Sequence, residues 1–272
     1  EGSPLLIFSM QFTEKLRAEL APDYDVQFAM RYGNPSLKKV LADFRERGIE
    51  KLILFPLYPQ YAQSSTETSI QRVKKLTAEM WDDLDLKIVA PFYDNAGLAD
   101  AVVELGQPVL DEQSPDHILF SFHGLPERHI RKCDPTGTHC FVVENCCETV
   151  SDKNPNCYRA QCYSTARLVA SRLDLNPSQW TVCFQSRLGR DPWIKPYTDV
   201  VLEDLAEQGV KDLVVFCPAF VADCLETLEE IGIRAEEDFQ EMGGNSLRLV
   251  PAVNDNDTWV TAAAQLVQST AG

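Results

Sequence analysis

No stretch of this chain is apolar for the about 18 residues that a membrane-spanning helix requires, so the sequence predicts no transmembrane segment. The first residues, Glu1-Gly2-Ser3-Pro4, lack the basic start of a secretory signal peptide. Basic residues are scarce: 25 Lys and Arg stand against 41 Asp and Glu, a formal net charge of −16. That deficit argues against a nucleic-acid partner and against direct attraction to anionic lipid, both of which call for clustered Lys and Arg. Short-period repeats and low-complexity tracts are also missing, which excludes solenoid and array architectures. What remains is a globular chain of 272 residues, 44% of them hydrophobic, long enough to bury the cores of one large or two medium domains.

Helix and strand signals alternate from end to end, the pattern of an α/β fold with parallel sheet. Ser3-Pro4 predicts a helix to about Leu20, opened by an N-cap and a first-position proline. A strand at Val26 to Met30, a helix from Asn34-Pro35 to near Gly48, a strand at Leu52 to Leu57, a helix at Thr66 to Trp81, a strand at Leu86 to Ala90 and a helix at Leu98 to Leu110 complete a first half. The second half has predicted strands at Ile118 to Phe122, Trp180 to Phe184, Leu213 to Cys217 and Leu247 to Val250. Its helices are expected at Tyr158 to Arg172, Tyr197 to Gln208 and Leu225 to Phe239. The polar stretch Asp111 to Asp116 is the best linker, and a last helix, Thr258 to Gln268, is expected to cross back to the first half.

Within this frame, Ile118-Leu119-Phe120-Ser121-Phe122-His123-Gly124-Leu125-Pro126 reads as a strand apolar on both faces, ending in one imidazole and two chain-turning residues. Parallel sheets bind ligands beyond their carboxyl ends, which is where His123 is aimed. A blander reading makes it a strand cap bonded to a nearby carbonyl. A second strand-to-helix passage, Phe216 to Ile231, carries Asp223, Glu226, Glu229 and Glu230. At 3.6 residues per turn, Glu226 and Glu230 share one face while Leu225, Leu228 and Ile231 point inward. The alternative is that Asp223 caps the helix and the glutamates are solvated acids favoured by its dipole.

The pair of segments FSFHGLP and FVADCLETLEEIG strongly resembles the ferrochelatases, enzymes that insert ferrous iron into a porphyrin. AMRYGNPSL at Ala29 to Leu37, LFPLYPQYAQSST at Leu54 to Thr66, FQSRLGRDPWIKPYTD at Phe184 to Asp199 and VPAVNDNDTW at Val250 to Trp259 resemble family segments in family order. The resemblance implies two Rossmann-like domains facing a cleft: 1–114, completed by the C-terminal helix of 251–272, and 115–250. It also implies a chain lacking the family's first strand and lip loop. The activity implied is that of a lyase of haem biosynthesis in the cytoplasm, with porphyrin and ferrous iron as partners. Peripheral membrane association, oligomeric state and the choice between protoporphyrin IX and coproporphyrin III stay open. Rival readings are a related cobalt or iron chelatase of another tetrapyrrole, and a non-catalytic iron-sulfur or tetrapyrrole-binding protein.

Residue by residue, the resemblance implies His123 and Glu226 as catalytic groups and metal ligands, with Glu230 and Asp223 behind them on the metal route. It implies porphyrin contacts from Met30, Arg31, Tyr32, Tyr58, Tyr61, Ser64, Ser65, Thr66, Arg187, Trp193 and Phe220. An imidazole suits the task, since it takes protons near neutral pH and binds borderline metal ions. In a strongly acidic chain, Arg31 and Arg187 are the candidates to hold porphyrin carboxylates.

Between His123 and the helix near Tyr158 lies a cysteine-rich insertion, 131–157, with Cys133, Cys140, Cys146, Cys147 and Cys157. A loop so long needs something to order it. In a large chain without an export signal, metal is preferred over a disulfide knot. Four of the five thiols suit a [2Fe-2S] cluster of the kind some ferrochelatases carry, with structural zinc as the alternative and His139 as a further ligand in that case. Cys162, Cys183, Cys217 and Cys224 read as small buried hydrophobes.

Overall fold

The structure, a computed structural model, describes residues 2–81 and 83–272; Glu1 and Asp82 lie outside them. Helix α1 (Pro4–Leu20) opens at Ser3 with Pro4 in its first turn and buries Phe12, Leu16 and Leu20. Helix α2 (Leu37–Glu46) starts later than Asn34-Pro35 suggested, because Ser36 supplies the cap, its side chain accepting from the Lys39 N–H. Strands β1 (Lys51–Leu54) and β2 (Asp85–Ile88) pair in parallel, Leu52 opposite Leu86. Between them a π-turn at Gln63–Glu67 leads into α3 (Thr68–Met80). The strand expected at Val26 to Met30 is not formed. Its residues have no strand alongside among those described, and only Met30 makes a bridge, to Ser36, its N–H donating to the Pro35 carbonyl at 2.7 Å.

Helix α4 (Ala96–Gln113), capped by Asn95, runs through half of the expected linker and stops where Ser114 turns left-handed. A second sheet follows, all parallel in the order β4-β3-β5-β6: β3 (His117–His123), β4 (Trp180–Gln185), β5 (Asp212–Phe216) and β6 (Ser246–Leu249). Strand β3 is central, and its alternation sorts its side chains to two cores. Phe120 and Phe122 pack with Phe184 and Phe216 against α6 (Tyr158–Arg172). Leu119 packs with Cys183, Leu213 and Val215 against Leu202 and Leu205 of α7 (Thr198–Glu207). A short helix, α5 (Glu127–Lys132), follows β3.

The helix expected at Leu225 to Phe239 is broken into α8 (Leu225–Leu228), a π-turn at Glu230–Ala235 and α9 (Glu236–Glu241). Helix α10 (Asp257–Ala271) packs against α1 and α4. Its Trp259 is fully buried and stacks on Phe12 and Phe92, with ring centroids 5.7 and 5.6 Å away. Among the described residues, no helix is long and apolar enough to cross a membrane.

Candidate active site

Strand β3 ends at His123, opposite Gln185 at the end of β4. The His123 Nδ1 lies 2.6 Å from the Gly124 carbonyl oxygen. A carbonyl only accepts, so Nδ1 carries the hydrogen and the neutral ring keeps its lone pair at Nε2. Tyr158 donates its hydroxyl to the His123 carbonyl at 2.8 Å, holding the backbone from below. Glycine is required next in the chain: a Cβ on Gly124 would lie 2.8 Å from the Gln185 carbonyl oxygen and 3.1 Å from the Trp193 ring. Trp193 and Phe220 flank the imidazole, each with its ring centroid 6.5 Å away.

A cavity of about 1270 Å³ opens in front of this strand end. His123 and Glu226 both line it, as do Met30, Arg31, Tyr32, Tyr58, Ser64, Ser65 and Phe220. Its volume exceeds the usual range of small-molecule sites, and its lining is mostly apolar. Arg31 lies with its guanidinium 4.6 Å from the Tyr32 ring centroid, and its Nε is buried with no hydrogen-bond partner among the described residues. A donor left unmade in this way is costly unless a ligand completes it.

Glu226 also borders a smaller recess of about 350 Å³ shared with Ser186, Arg187, Glu229, Glu230 and Arg234. Beside it, burial and then the Glu226 carboxylate push the Cys224 thiol up to about 12, so Cys224 stays protonated.

Four of the expected porphyrin contacts do not line this cavity. Tyr61 donates its hydroxyl to Glu67 at 3.0 Å, and burial followed by that carboxylate pushes its phenol up. Thr66 is buried and accepts from the Ala62 N–H at 3.3 Å. Arg187 pairs with Asp199 and stacks over Tyr197 at 4.4 Å, facing the outer recess. Trp193 reaches His123 but does not line the cavity, its indole N–H donating to the Leu188 carbonyl at 2.9 Å.

The two acids expected on the metal route are both engaged by hydrogen bonds within the protein. Asp223 is 3% exposed and accepts from Asn254 Nδ2 and Thr227 Oγ1, both at 2.8 Å, and from the Ala252 N–H at 3.3 Å. It braces the start of α8 rather than facing the cavity. Glu230 accepts from the Ser186 N–H at 2.7 Å and the Ser186 hydroxyl at 2.6 Å. It lines the same outer recess as Glu226, but Ser186 engages both of its carboxylate oxygens. Sequence reasoning missed Gln185 and Tyr158; the available signal was a polar side chain at the inner end of an apolar strand.

All five insertion thiols are free. Cys146 and Cys147 have their sulfurs 3.7 Å apart, while Cys140 and Cys147 each interact with Cys157. Cys133 lies apart, near Tyr61 and Glu67. The contacts form one chain from Cys140 through Cys157 and Cys147 to Cys146, while among the described residues no three or more His, Cys, Asp or Glu converge as a metal site. Burial pushes the Cys140 thiol up to about 11. Asp134 orders the loop's start, accepting from the N–H groups of Thr136, His139 and Cys140 at 2.8 to 2.9 Å.

Comparison with known proteins adds three findings. The family model described as Ferrochelatase matches residues 1–271. The chain is 49% identical over 269 residues to a ferrochelatase of Ectopseudomonas mendocina, and 47% identical over 266 residues to one of Pseudomonas aeruginosa; each match covers 98% of this chain and 78% of the relative. Among solved structures it is similar to SirB from Bacillus subtilis with Fe3+, at 13% identity and a TM-score of 0.63, covering 100% of this chain and 92% of that one. CbiX from denitrifying bacteria follows at 13% identity and a TM-score of 0.57, covering 99% and 94%. At such identities the structural likeness shows the chelatase fold alone.

Proposed function

The chain belongs to the ferrochelatase family, and from that premise we propose which of its residues carry the insertion of ferrous iron into a porphyrin. The reaction exchanges one Fe2+ for two protons on pyrrole nitrogens, so the site needs a proton acceptor at the ring and an outlet for charge. His123 accepts protons at Nε2, the nitrogen left without hydrogen by the bond from Nδ1 to Gly124. Glu226, bordering both the cavity and the outer recess, passes protons out or iron in. Phe220, with Trp193 behind the imidazole, favours a bent ring over a flat one through contacts stronger in the distorted state. Arg31 holds a porphyrin carboxylate. The observation that carries this reading is the presence of His123 and Glu226 on one large, mostly apolar cavity.

Absorbance spectroscopy tests it: the protein is incubated with ferrous iron, or zinc as surrogate, and with protoporphyrin or coproporphyrin in parallel. Metallation above the uncatalysed rate is expected, reduced about a hundredfold or more in H123A and strongly reduced in E226Q; unchanged turnover in H123A would refute the assignment.

We propose further that Cys140, Cys146, Cys147 and Cys157 hold a [2Fe-2S] cluster. Four free thiols linked in one chain of contacts suit a binuclear centre, which takes four thiolates. When bound, such a group supplies one-electron redox chemistry and a cross-link for the loop. Iron and acid-labile sulfide in equal amounts are expected, with Cys133→Ser leaving both in place; zinc without sulfide would sink the proposal. Nine free cysteines also suit a reducing, cytoplasmic setting. The domain division at 114 and 115, with α10 returned to the first unit, belongs to the same reading.

A further inference from the structure

Gln185 joins the strand ends that carry the site, and we infer that it is a positioning residue for metal insertion, acting through His123 and Glu226; the inference rests on the assignment of those two residues above. Its side chain is 3% exposed, and both of its polar atoms are engaged. Oε1 accepts from the Ser121 hydroxyl at 2.7 Å and from the Cys217 thiol at 3.7 Å. Nε2 donates to the Glu226 carbonyl at 2.7 Å and lies 3.4 Å from a Glu230 carboxylate oxygen. The amide cannot be reversed, because the Glu226 carbonyl has no hydrogen to give. Through its backbone, Gln185 accepts from the Gly124 N–H at 2.8 Å and stands opposite His123 in the ladder. One residue therefore touches β3 on both sides of His123 and the turn that bears Glu226.

Burying an amide is unfavourable unless both of its ends are satisfied. Here they are satisfied by two elements whose relative placement sets the spacing of base and acid. Glu230 completes the clamp: it accepts both donors of Ser186, a residue held at φ 63, where few non-glycine residues sit. Gln185 and Ser186 thus tie the end of β4 to α8 and the π-turn, and the Glu230 carboxylate, on the same recess as Glu226, serves as the anchor.

The test compares Q185E and Q185L with the parent protein, alongside H123A and E226Q. It reads kcat, KM, porphyrin binding by fluorescence quenching and melting temperature. An ionised carboxylate at position 185 still accepts from Ser121 but sets an oxygen against the Glu226 carbonyl and the Glu230 carboxylate. The expected result in mild alkali is a fall in kcat of about tenfold to a hundredfold, with porphyrin affinity within about twofold of the parent. Q185L, which can neither accept from Ser121 nor donate to Glu226, loses kcat likewise.

Parental turnover in Q185E overturns the inference, as does a loss confined to KM or melting temperature. If H123A and E226Q keep parental turnover, the site assignment fails and the inference falls with it. Inactive H123A and E226Q beside an unimpaired Q185E fault the inference alone.

Discussion

The two walls of the cavity are held by different physics. On the side of the four-stranded sheet the polar groups are buried and satisfied: Ser121, Gln185 and Asp223 are each 3% exposed or less, and each is hydrogen-bonded within the protein. On the first-half side, Met30, Tyr58, Ser64 and Ser65 offer area, Tyr32 is 76% exposed, and Arg31 leaves a buried Nε without a partner. Groups that must meet reacting atoms at a set distance need a network that over-determines them. A surface that receives a broad planar ring needs apolar contact and a donor in reserve.

That contrast breaks most visibly at His123. H123A is expected to lose about a hundredfold to ten-thousandfold in kcat while porphyrin still quenches protein fluorescence; comparable turnover in the variant would erase the distinction between the walls. Gly124→Ala comes next. Its Cβ would meet the Gln185 carbonyl at 2.8 Å and push the imidazole off its line, with about tenfold lower kcat expected in steady-state assays.

Asp223→Ala leaves Asn254, Thr227 and the Ala252 N–H short of a partner, and urea denaturation should register about 2–3 kcal/mol of lost stability. On the opposite wall, Tyr58→Phe and Ser64→Ala should change stability by less than about 0.5 kcal/mol and act on KM alone. A fall in kcat there would bring the first wall into the chemistry.

Asp134 gives the smallest effect and concerns the cysteine loop. Desolvation raises its carboxyl, but hydrogen bonds from Thr136, Cys140 and His139 outweigh that and hold it well below the usual carboxylate range. The folded value being depressed, its contribution is complete above the unfolded carboxylate pKa and is lost as pH falls through the folded value. In Asp134→Ala, amide exchange at Thr136, His139 and Cys140 should quicken at neutral pH, with no change elsewhere.

Much of the frame was legible. Strands β3 to β6 lie within a residue or so of their expected bounds, because apolar runs of β-branched and aromatic residues between turn signals have few alternatives. His123 was legible for the same reason, a polar residue ending such a run. The helix after β5 was misread, since a 3.6-residue period assumes an unbroken helix and nothing local announces the π-turn at Glu230–Ala235. The pairing of Arg187 with Asp199 was not legible, because such a partner is chosen by the fold. Val26 to Met30 was misread because a strand exists only with a neighbour to bond.

The sequence by itself determined the order of elements, their inward faces and the two strand ends that meet the cavity, because side-chain periodicity and turn chemistry act over a few residues. Tertiary structure alone decided which polar groups face the cavity and which brace it. That division depends on hydrogen bonds such as the one from Gln185 to Glu226, which spans 41 positions of chain. No local preference encodes such a partner; it exists only once β3, β4 and the turn after β5 have packed side by side.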